Sequence, residues 1–194
     1  MNTTNRISVT LYSVLIAAQG FSLAGVVSRG NYDFVCNIVG STLFWLAYIV
    51  YEYIYKLRIN YYIRLVVVIA IISDSFFGFY LNYYVTSQVF DRIQHIFGTY
   101  ALALFFCAIL KHFMQETVSI RWIQFIFVVA IGISVGNLYE VMEFVADTLM
   151  KPQILNQPSL QDTDLDLISN TIGAVLAGIH SMYTNLGNQR KHPL

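Results

Sequence analysis

The sequence predicts an all-α, polytopic membrane protein with six transmembrane helices in a single domain, residues 1–194. Of the 194 residues, 57% are hydrophobic and only 11% are charged, and the mean hydropathy is +0.59. Soluble domains carry about 25% charged residues, so this chain has too few charges to cover a water-soluble globule. Several apolar runs also reach the roughly 20 residues that a helix needs to cross a bilayer.

Six apolar segments have the length of a membrane-spanning helix. In chain order they are residues 7–28, 34–55, 62–81, 91–113, 120–146 and 165–185. The first segment could be taken for a cleaved secretory signal, but it is longer than the usual apolar core of a signal and has no clean cleavage site, so we interpret it as a span. Residues 147–164 contain Pro152 and Pro158, and this stretch predicts a polar outer loop or lid.

The distribution of charge predicts the orientation in the membrane, because cytoplasmic loops are enriched in Lys and Arg. With the N-terminus inside, eight of the 11 basic residues fall on the inner side. These eight are Arg6, Lys56, Arg58, Arg64, Lys111, Arg121, Arg190 and Lys191. Nine of the 11 acids fall on the outer side, with Glu52 and Glu116 as the exceptions. We therefore expect a multi-pass protein of the inner or plasma membrane with both termini in the cytoplasm. The net charge of zero excludes a nucleic-acid partner held by a basic patch.

Helices four, five and six repeat one pattern, in which polar residues lie at the outer end of a helix face and small residues lie deeper on it. Residues three, four and seven apart share a face of a helix. The three stripes are Asp91, His95 and Gly98; Gly132, Gly136, Glu140 and Glu143; and Asp162, Asp166, Asn170, Gly173 and Ala177. Gly132 and Gly136 have the GxxxG spacing that lets helix backbones approach in lipid. Packing these faces together predicts one polar cluster at the outer ends, with Asp74 of helix three as a further candidate.

The expected cluster needs a counter-charge, because a carboxylate at the centre of a bilayer helix costs about 2.5–3.5 kcal/mol. Arg92 is adjacent to Asp91 in sequence but points about 100° away around the helix, so we expect from it at most a supporting contact to the ligand residues or a contact to a lipid headgroup. A divalent cation is the other candidate. Carboxylate oxygens with one imidazole suit Mn²⁺, Mg²⁺ or Zn²⁺.

The residue types suggest a role for each member of the cluster. We interpret the following as candidate metal ligands: Asp91, His95, Glu140, Asp162 and Asp166. Asp91 and His95 are four residues apart, so both can bind one ion. Glu143 is a candidate catalytic residue that would act as a general base towards a bound water. Asn170 is the second candidate catalytic residue and would orient a ligand.

Structural roles are the alternative interpretation of the same residues. Asp91, Asp162 and Asp164 can each be an N-cap, and Glu140 and Glu143 can face water near the end of their helix. His95 alone can be a hydrogen-bonded packing residue. Asn170 is harder to explain in this way, because it lies about a turn and a half inside helix six, where an unpaired amide is costly.

The remaining polar residues predict structural roles. Glu52 and Lys56 are four residues apart near the inner end of helix two, and this spacing predicts an ion pair. Tyr51, Tyr53 and Tyr55 predict an aromatic belt at the same interface. The sequence contains no Gly-rich phosphate loop, no GxSxG elbow, no HExxH and no CxxC.

Three stretches carry a resemblance to a known family. They read Asp91-Arg92-x-x-His95, Tyr139-Glu140-x-x-Glu143, and Asp162-Thr163-x-x-Asp166-Leu-x-x-Asn170-x-x-Gly173-Ala174. Together they resemble the bacterial YjdF family of inner-membrane proteins and, more distantly, the VanZ-like proteins. The resemblance covers residues 73–178. At the end of helix three, where a more polar segment is expected, this chain has Ser73-Asp74-Ser75-Phe76-Phe77-Gly78. The likeness to VanZ-like proteins implies a role at the outer face, near cell-envelope lipids or their precursors.

Three functions fit these residues. The first is a metal-assisted hydrolase or transferase that acts on a lipid or lipid-linked headgroup, with membrane lipids as partners. The second is a cation- or proton-coupled transporter, but the inner halves of helices four to six are mostly Leu, Phe, Ala and Gly, which favours a one-sided site. The third is a non-catalytic resistance or assembly protein whose polar helix ends only lock the helices together. Bound metal would distinguish the first function from the third.

Overall fold

The computed structural model describes residues 3–57, 59–87, 89–113 and 120–184. Over this part of the chain the protein is all-helical, as predicted, with seven α-helices and no strand. The helices are α1 (Thr3–Ser28), α2 (Val35–Tyr55), α3 (Tyr61–Ile72), α4 (Tyr83–Thr86), α5 (Phe90–Phe113), α6 (Arg121–Met150) and α7 (Leu160–Tyr183). A 3-10 turn, Tyr32–Phe34, precedes α2, and a π-helix, Ser73–Tyr80, continues α3. Four of the charges counted above and the expected end of the last helix lie outside the described residues: Arg58, Glu116, Arg190, Lys191 and Asn185.

Among the residues that the structure describes, five helical segments are long and apolar enough to cross a membrane, and they overlap the first five predicted spans. They are Ile7–Ser28, Tyr32–Tyr55, Tyr61–Tyr80, Phe90–Phe113 and Arg121–Met150. Helix α7, the predicted sixth span, is not among them, because acidic and amide side chains interrupt its first half. It nevertheless packs along α5 and α6, and these three helices make the most extensive contacts in the molecule.

The predicted outer loop is shorter than expected. Helix α6 continues to Met150, and α7 already begins at Leu160, so only residues 151–159 lie between the two helices. Ser159 explains the early start of α7, because its hydroxyl caps the helix by accepting a hydrogen bond from the Asp162 amide at 3.2 Å. Helix α6 ends where Lys151 adopts a left-handed conformation, with φ of 49°. The loop boundaries at 147 and 164 were therefore wrong, because both of those residues are helical.

Small residues bring α5, α6 and α7 into close contact, as the sequence predicted. A Cβ atom added to Gly132 would lie 2.6 Å from the Ala174 Cβ, and one added to Gly136 would lie 2.7 Å from the Asn170 Cβ. A Cβ at Gly173 would collide with the Ile96 carbonyl oxygen of α5. Gly98 differs, because a Cβ there would meet nothing within 4 Å. Its assignment to the contact face was therefore wrong.

A buried ion pair joins the first three helices at the end of the bundle where α3 begins. The Arg64 guanidinium, only 7% exposed, pairs with Glu52 of α2 and donates to the Tyr12 hydroxyl at 2.8 Å. It also donates to the Ser8 hydroxyl at 3.0 Å and to the Ile59 carbonyl at 3.2 Å. We call these five groups the Arg64 cluster. The expected pair of Glu52 with Lys56 was wrong, because Lys56 turns away in a left-handed C-cap, with φ of 51°.

Candidate functional site

A second polar cluster lies at the opposite end of the bundle, where α5 and α7 begin and α6 ends. We call it the His95 cluster, and it contains Asp91, Arg92, His95, Glu140, Glu143, Asp162, Asp166 and Asn170. The imidazole of His95 lies at its centre and is 7% exposed. All seven residues that the sequence assigned to this cluster are therefore brought together.

The two nitrogens of the His95 ring face different residues. Nε2 lies 3.3 Å from Asp91 Oδ1 and 3.6 Å from Asp166 Oδ1. Nδ1 lies 3.2 Å from Asn170 Oδ1 and 3.4 Å from Glu140 Oε1. The Tyr139 ring packs edge-on against the imidazole at a centroid distance of 5.6 Å. The ring is therefore held by groups from all three helices.

Hydrogen bonds connect the deeper members of the cluster. The Asn170 amide nitrogen donates to Glu140 Oε1 at 3.2 Å, and the Thr99 hydroxyl donates to Asn170 Oδ1 at 2.6 Å. Glu140, Asp166 and Asn170 are each less than 5% exposed. The interpretation of Glu140 as a water-facing residue was therefore wrong, and the buried amide of Asn170 has the partners that its burial requires.

Arg92 is a central member of the cluster, and it contacts three carboxylates on two helices directly. Its Nη1 lies 2.7 Å from Asp91 Oδ2 and 2.6 Å from Asp166 Oδ1, and its Nη2 pairs with Asp162. Arg92 lies about 100° from Asp91 around α5. Helix α7 packs against α5 on that side. The long, flexible side chain therefore reaches acids on both helices.

Two acids take positions apart from the metal-ligand set. Asp162 contacts Arg92, and it belongs to neither group of potential ligands found in the described residues. Asp74 accepts a hydrogen bond from the Tyr84 hydroxyl at 2.5 Å. Burial raises the pKa of Tyr84 well above its ordinary value, and the nearby Asp74 carboxylate acts in the same direction, so the hydroxyl keeps its proton and donates.

Two groups of side chains have the spacing to hold a metal ion. One is Asp91, His95 and Asp166, and the other is His95, Glu140 and Glu143; the candidate ligand atoms of each group lie within 4.8 Å of one another. The expected ligands are divided between the two sides of the imidazole, because Asp91 and Asp166 lie near Nε2 and Glu140 lies near Nδ1.

The cluster carries an excess of negative charge. Five carboxylates share one guanidinium, which leaves four negative charges, or three if His95 is protonated. Like charges this close do not all stay ionised unless a cation lies among them, and otherwise some of the carboxylates take up a proton. The geometry is therefore suited to bind a cation.

The loop at residues 151–159 covers the cluster. Gln157 reaches down from it and donates to the Glu140 carbonyl at 2.9 Å and to Glu140 Oε2 at 3.1 Å. Asp147, in the last turns of α6, fixes the loop by accepting hydrogen bonds from the backbone amides of Asn156 at 3.0 Å and Gln157 at 2.9 Å. The carboxylate of Asp33 accepts from the Ile154 amide at 3.2 Å. The loop is thus tied to α6 and to the turn before α2, in the manner of a lid.

Two depressions flank the line where α5 and α7 meet. A polar cleft of about 450 Å³ opens beside the cluster and is lined by Tyr84, Val85, Ser87, Asp91, Arg92, Ser159, Gln161, Asp162 and Leu165. An apolar groove of about 760 Å³ runs further along the same two helices, and Ile93, Phe97, Leu176 and Ile179 are among its lining residues. On α5 the two linings are adjacent in sequence, at Arg92 and Ile93, whereas on α7 the cleft ends at Leu165 and the groove begins at Leu176.

Sequence reasoning missed Thr99, Gln157 and the reach of Arg92. Thr99 follows His95 by four residues, so helical periodicity could have added it to the same face. Gln157 carried no such signal, because the course of a loop does not follow from periodicity.

Comparison with known proteins agrees with a membrane protein. A family model described as a predicted membrane protein, DUF2238, matches residues 7–185. An uncharacterized protein of Thermotoga maritima is 29% identical over 169 residues, which cover 84% of each chain. No solved structure matches. The YjdF resemblance is consistent with these matches, whereas kinship with VanZ-like proteins is not shown by them.

Proposed function

The chain belongs to the DUF2238 family of predicted membrane proteins, and we propose that it crosses the plasma membrane six times, with both termini in the cytoplasm. Helix α7 would be the sixth span, because it packs along α5 and α6 and buries its polar face against them. The excess of Lys and Arg on one side supports this orientation. The His95 cluster would then face the cell exterior.

We infer that the His95 cluster binds one divalent metal ion. The observation that carries this inference is the convergence of five carboxylates on a single imidazole and a single guanidinium. His95, Asp91 and Asp166 would hold the ion, with Glu140 on the other side of the imidazole. Arg92 would orient the ligands, because it binds the second oxygen of Asp91 and also contacts Asp166.

The reaction that this arrangement supports best is hydrolysis or group transfer on a lipid headgroup. A divalent ion would supply polarisation of a phosphoryl or acyl group and activation of a water molecule. Glu143 would accept a proton from that water, and one of its carboxylate oxygens lies within 4.8 Å of candidate ligand atoms of His95 and Glu140. Glu140 and Asn170 would keep the imidazole in place during the reaction.

The two depressions support a lipid as the substrate. A headgroup would enter the polar cleft beside Asp91, Arg92 and Asp162, and an acyl chain would lie in the apolar groove between α5 and α7. At its far end the groove reaches Tyr100, whose hydroxyl lies 2.5 Å from His180 Nδ1.

Metal analysis of the purified protein tests this proposal. We expect about one Zn²⁺ or Mn²⁺ per chain in the wild type. Loss of a residue that only supports a metal ligand typically lowers metal affinity by roughly 10–100-fold. Asp166→Asn removes a ligand itself and should lower the affinity by more than that. Asp164→Asn is the matched control, because Asp164 is an exposed acid two residues away on α7, and it should leave the affinity unchanged.

Two results would contradict the metal site. One is the absence of stoichiometric metal in the wild type, and the other is equal metal content in the two variants. A loss of thermal stability in Asp166→Asn without any change in metal would support the non-catalytic role instead. Labelling from outside intact cells of a cysteine placed at the exposed Leu155, with Cys36 and Cys107 changed to serine, tests the orientation. If this cysteine is not labelled from outside, the loop lies in the cytoplasm, and the proposed orientation is wrong.

A further inference from the structure

The orientation of the Asn170 amide is fixed by its neighbours. Its nitrogen faces Glu140 Oε1 at 3.2 Å, and its oxygen faces the Thr99 hydroxyl at 2.6 Å. Rotating the amide by half a turn would place its oxygen against the ionised Glu140 carboxylate, so that two acceptors would face each other. The amide oxygen therefore points towards His95.

This orientation determines which nitrogen of His95 carries a hydrogen. Nδ1 lies 3.2 Å from Asn170 Oδ1, which can only accept a hydrogen bond. Nδ1 must therefore be the donor. In the neutral ring the lone pair is then on Nε2, the nitrogen that faces Asp91 and Asp166.

The distances around Nε2 match those between ligands of a small tetrahedral ion. Asp91 Oδ1 and Asp166 Oδ1 lie 3.3 Å and 3.6 Å from Nε2. Both distances exceed the roughly 2.7–3.2 Å that is usual for N–H···O hydrogen bonds. Ligands bound to one tetrahedral zinc at about 2.0–2.2 Å are separated by about 3.3–3.6 Å. An octahedral ion with bonds of about 2.1 Å would bring neighbouring ligands to about 3.0 Å. The geometry therefore fits zinc better than magnesium.

We propose that Thr99 is a positioning residue: through Asn170 it holds His95 so that Nε2 binds a tetrahedral zinc ion together with Asp91 and Asp166. This inference rests on the metal site of the proposed function. It adds the identity of the ion, the His95 nitrogen that binds the ion, and Thr99, which acts through Asn170 without contacting the ion. Thr99 is only 5% exposed and contacts Asn170 directly, so its hydroxyl acts inside the protein.

Two substitutions of Thr99 test the role of its hydroxyl. Thr99→Val keeps the shape of the side chain and removes the donor, and Thr99→Ser keeps the donor. We expect Thr99→Val to weaken zinc affinity about tenfold, the lower end of the effect of outer-shell partners, and Thr99→Ser to bind zinc as the wild type does. Equal zinc affinity of Thr99→Val and the wild type would overturn the role of Thr99.

Nitrogen NMR of the zinc-loaded wild type, with ¹⁵N-labelled histidine and His95→Gln for assignment, identifies the binding nitrogen directly. We expect Nδ1 to keep its hydrogen and Nε2 to bind the metal. Zinc bound through Nδ1 would overturn this inference and leave the proposed metal site intact. A wild type that takes up manganese but no zinc would do the same, whereas one that takes up no metal would overturn both.

Discussion

The Arg64 cluster and the His95 cluster are both buried groups of charged residues, but only the first is balanced. In the Arg64 cluster one guanidinium meets one carboxylate, and a hydroxyl pair and a backbone carbonyl take up its other hydrogens. In the His95 cluster, one guanidinium and one imidazole serve five carboxylates. The first cluster is therefore complete in itself, whereas the second is completed only by protons or a cation.

This difference separates a structural role from a functional one. A buried ion pair whose hydrogen bonds are all made joins helices, and removal of one partner leaves the other charge uncompensated. A buried cluster with surplus acids lowers the stability of the helices that carry it. Such a cost is common at sites that bind ligands or do chemistry.

The largest loss of stability is expected when the buried pair of Arg64 and Glu52 loses one of its two charges. Arg64→Met should lower the free energy of unfolding in detergent by about 3–5 kcal/mol, because Glu52 would stay buried without its partner. Denaturant unfolding followed by tryptophan fluorescence measures it. The double variant Arg64→Met/Glu52→Leu should recover much of the loss, since apolar residues replace the whole pair. A double variant as unstable as the single one would contradict the importance of the balance.

A smaller effect is expected from the contact that brings α7 against α5. Gly173→Ala places a Cβ against the Ile96 carbonyl and should cost about 1–3 kcal/mol of stability. It should also weaken metal binding, because it separates Asp166 from His95. Gly98→Ala is the control, since its Cβ would meet nothing, and a helical Gly→Ala change is worth about 0.5–1 kcal/mol of added stability. Identical results for both variants would show that the cluster does not depend on this contact.

The smallest expected effect is a difference in the sign of the stability change when a glutamate is neutralised in each of the two clusters. Glu143→Gln removes one surplus charge and should raise the stability of the chelator-treated protein by about 0.5 kcal/mol, as expected for like charges three residues apart on a helix. Glu52→Gln makes the same chemical change in the Arg64 cluster and should lower stability. Thermal unfolding of both variants in a chelating buffer compares them. Destabilisation by Glu143→Gln to the extent of Glu52→Gln would mean that both clusters are balanced.

The candidate site could be predicted from the sequence because it lies on helix faces. Periodicity placed Asp91 with His95, Glu140 with Glu143, and Asp166 with Asn170, and the small residues beneath them indicated which faces would meet. These are properties of single helices and their packing surfaces, and the structure brings the expected residues together.

What failed depends on side chains that reach between helices. Arg92 pairs with acids on α7 because its long side chain extends from α5 to α7. Glu52 of α2 pairs with Arg64 of α3 instead of with Lys56 at the end of its own helix. Periodicity does not determine which neighbour a flexible side chain selects. Helix ends failed for a similar reason, because the early start of α7 depends on the cap at Ser159.

The π-helix that continues α3 has a consequence for comparing this chain with its relatives. A π-turn accommodates one more residue than an α-turn, so residues after Ser73–Tyr80 are rotated relative to an uninterrupted helix. Phe76 and Tyr80 meet Phe21 of α1 in this register. A homologue without the extra residue would need a one-residue gap within this segment to align the same ring pairs. An ungapped alignment would match the wrong aromatic positions from there to the end of the helix.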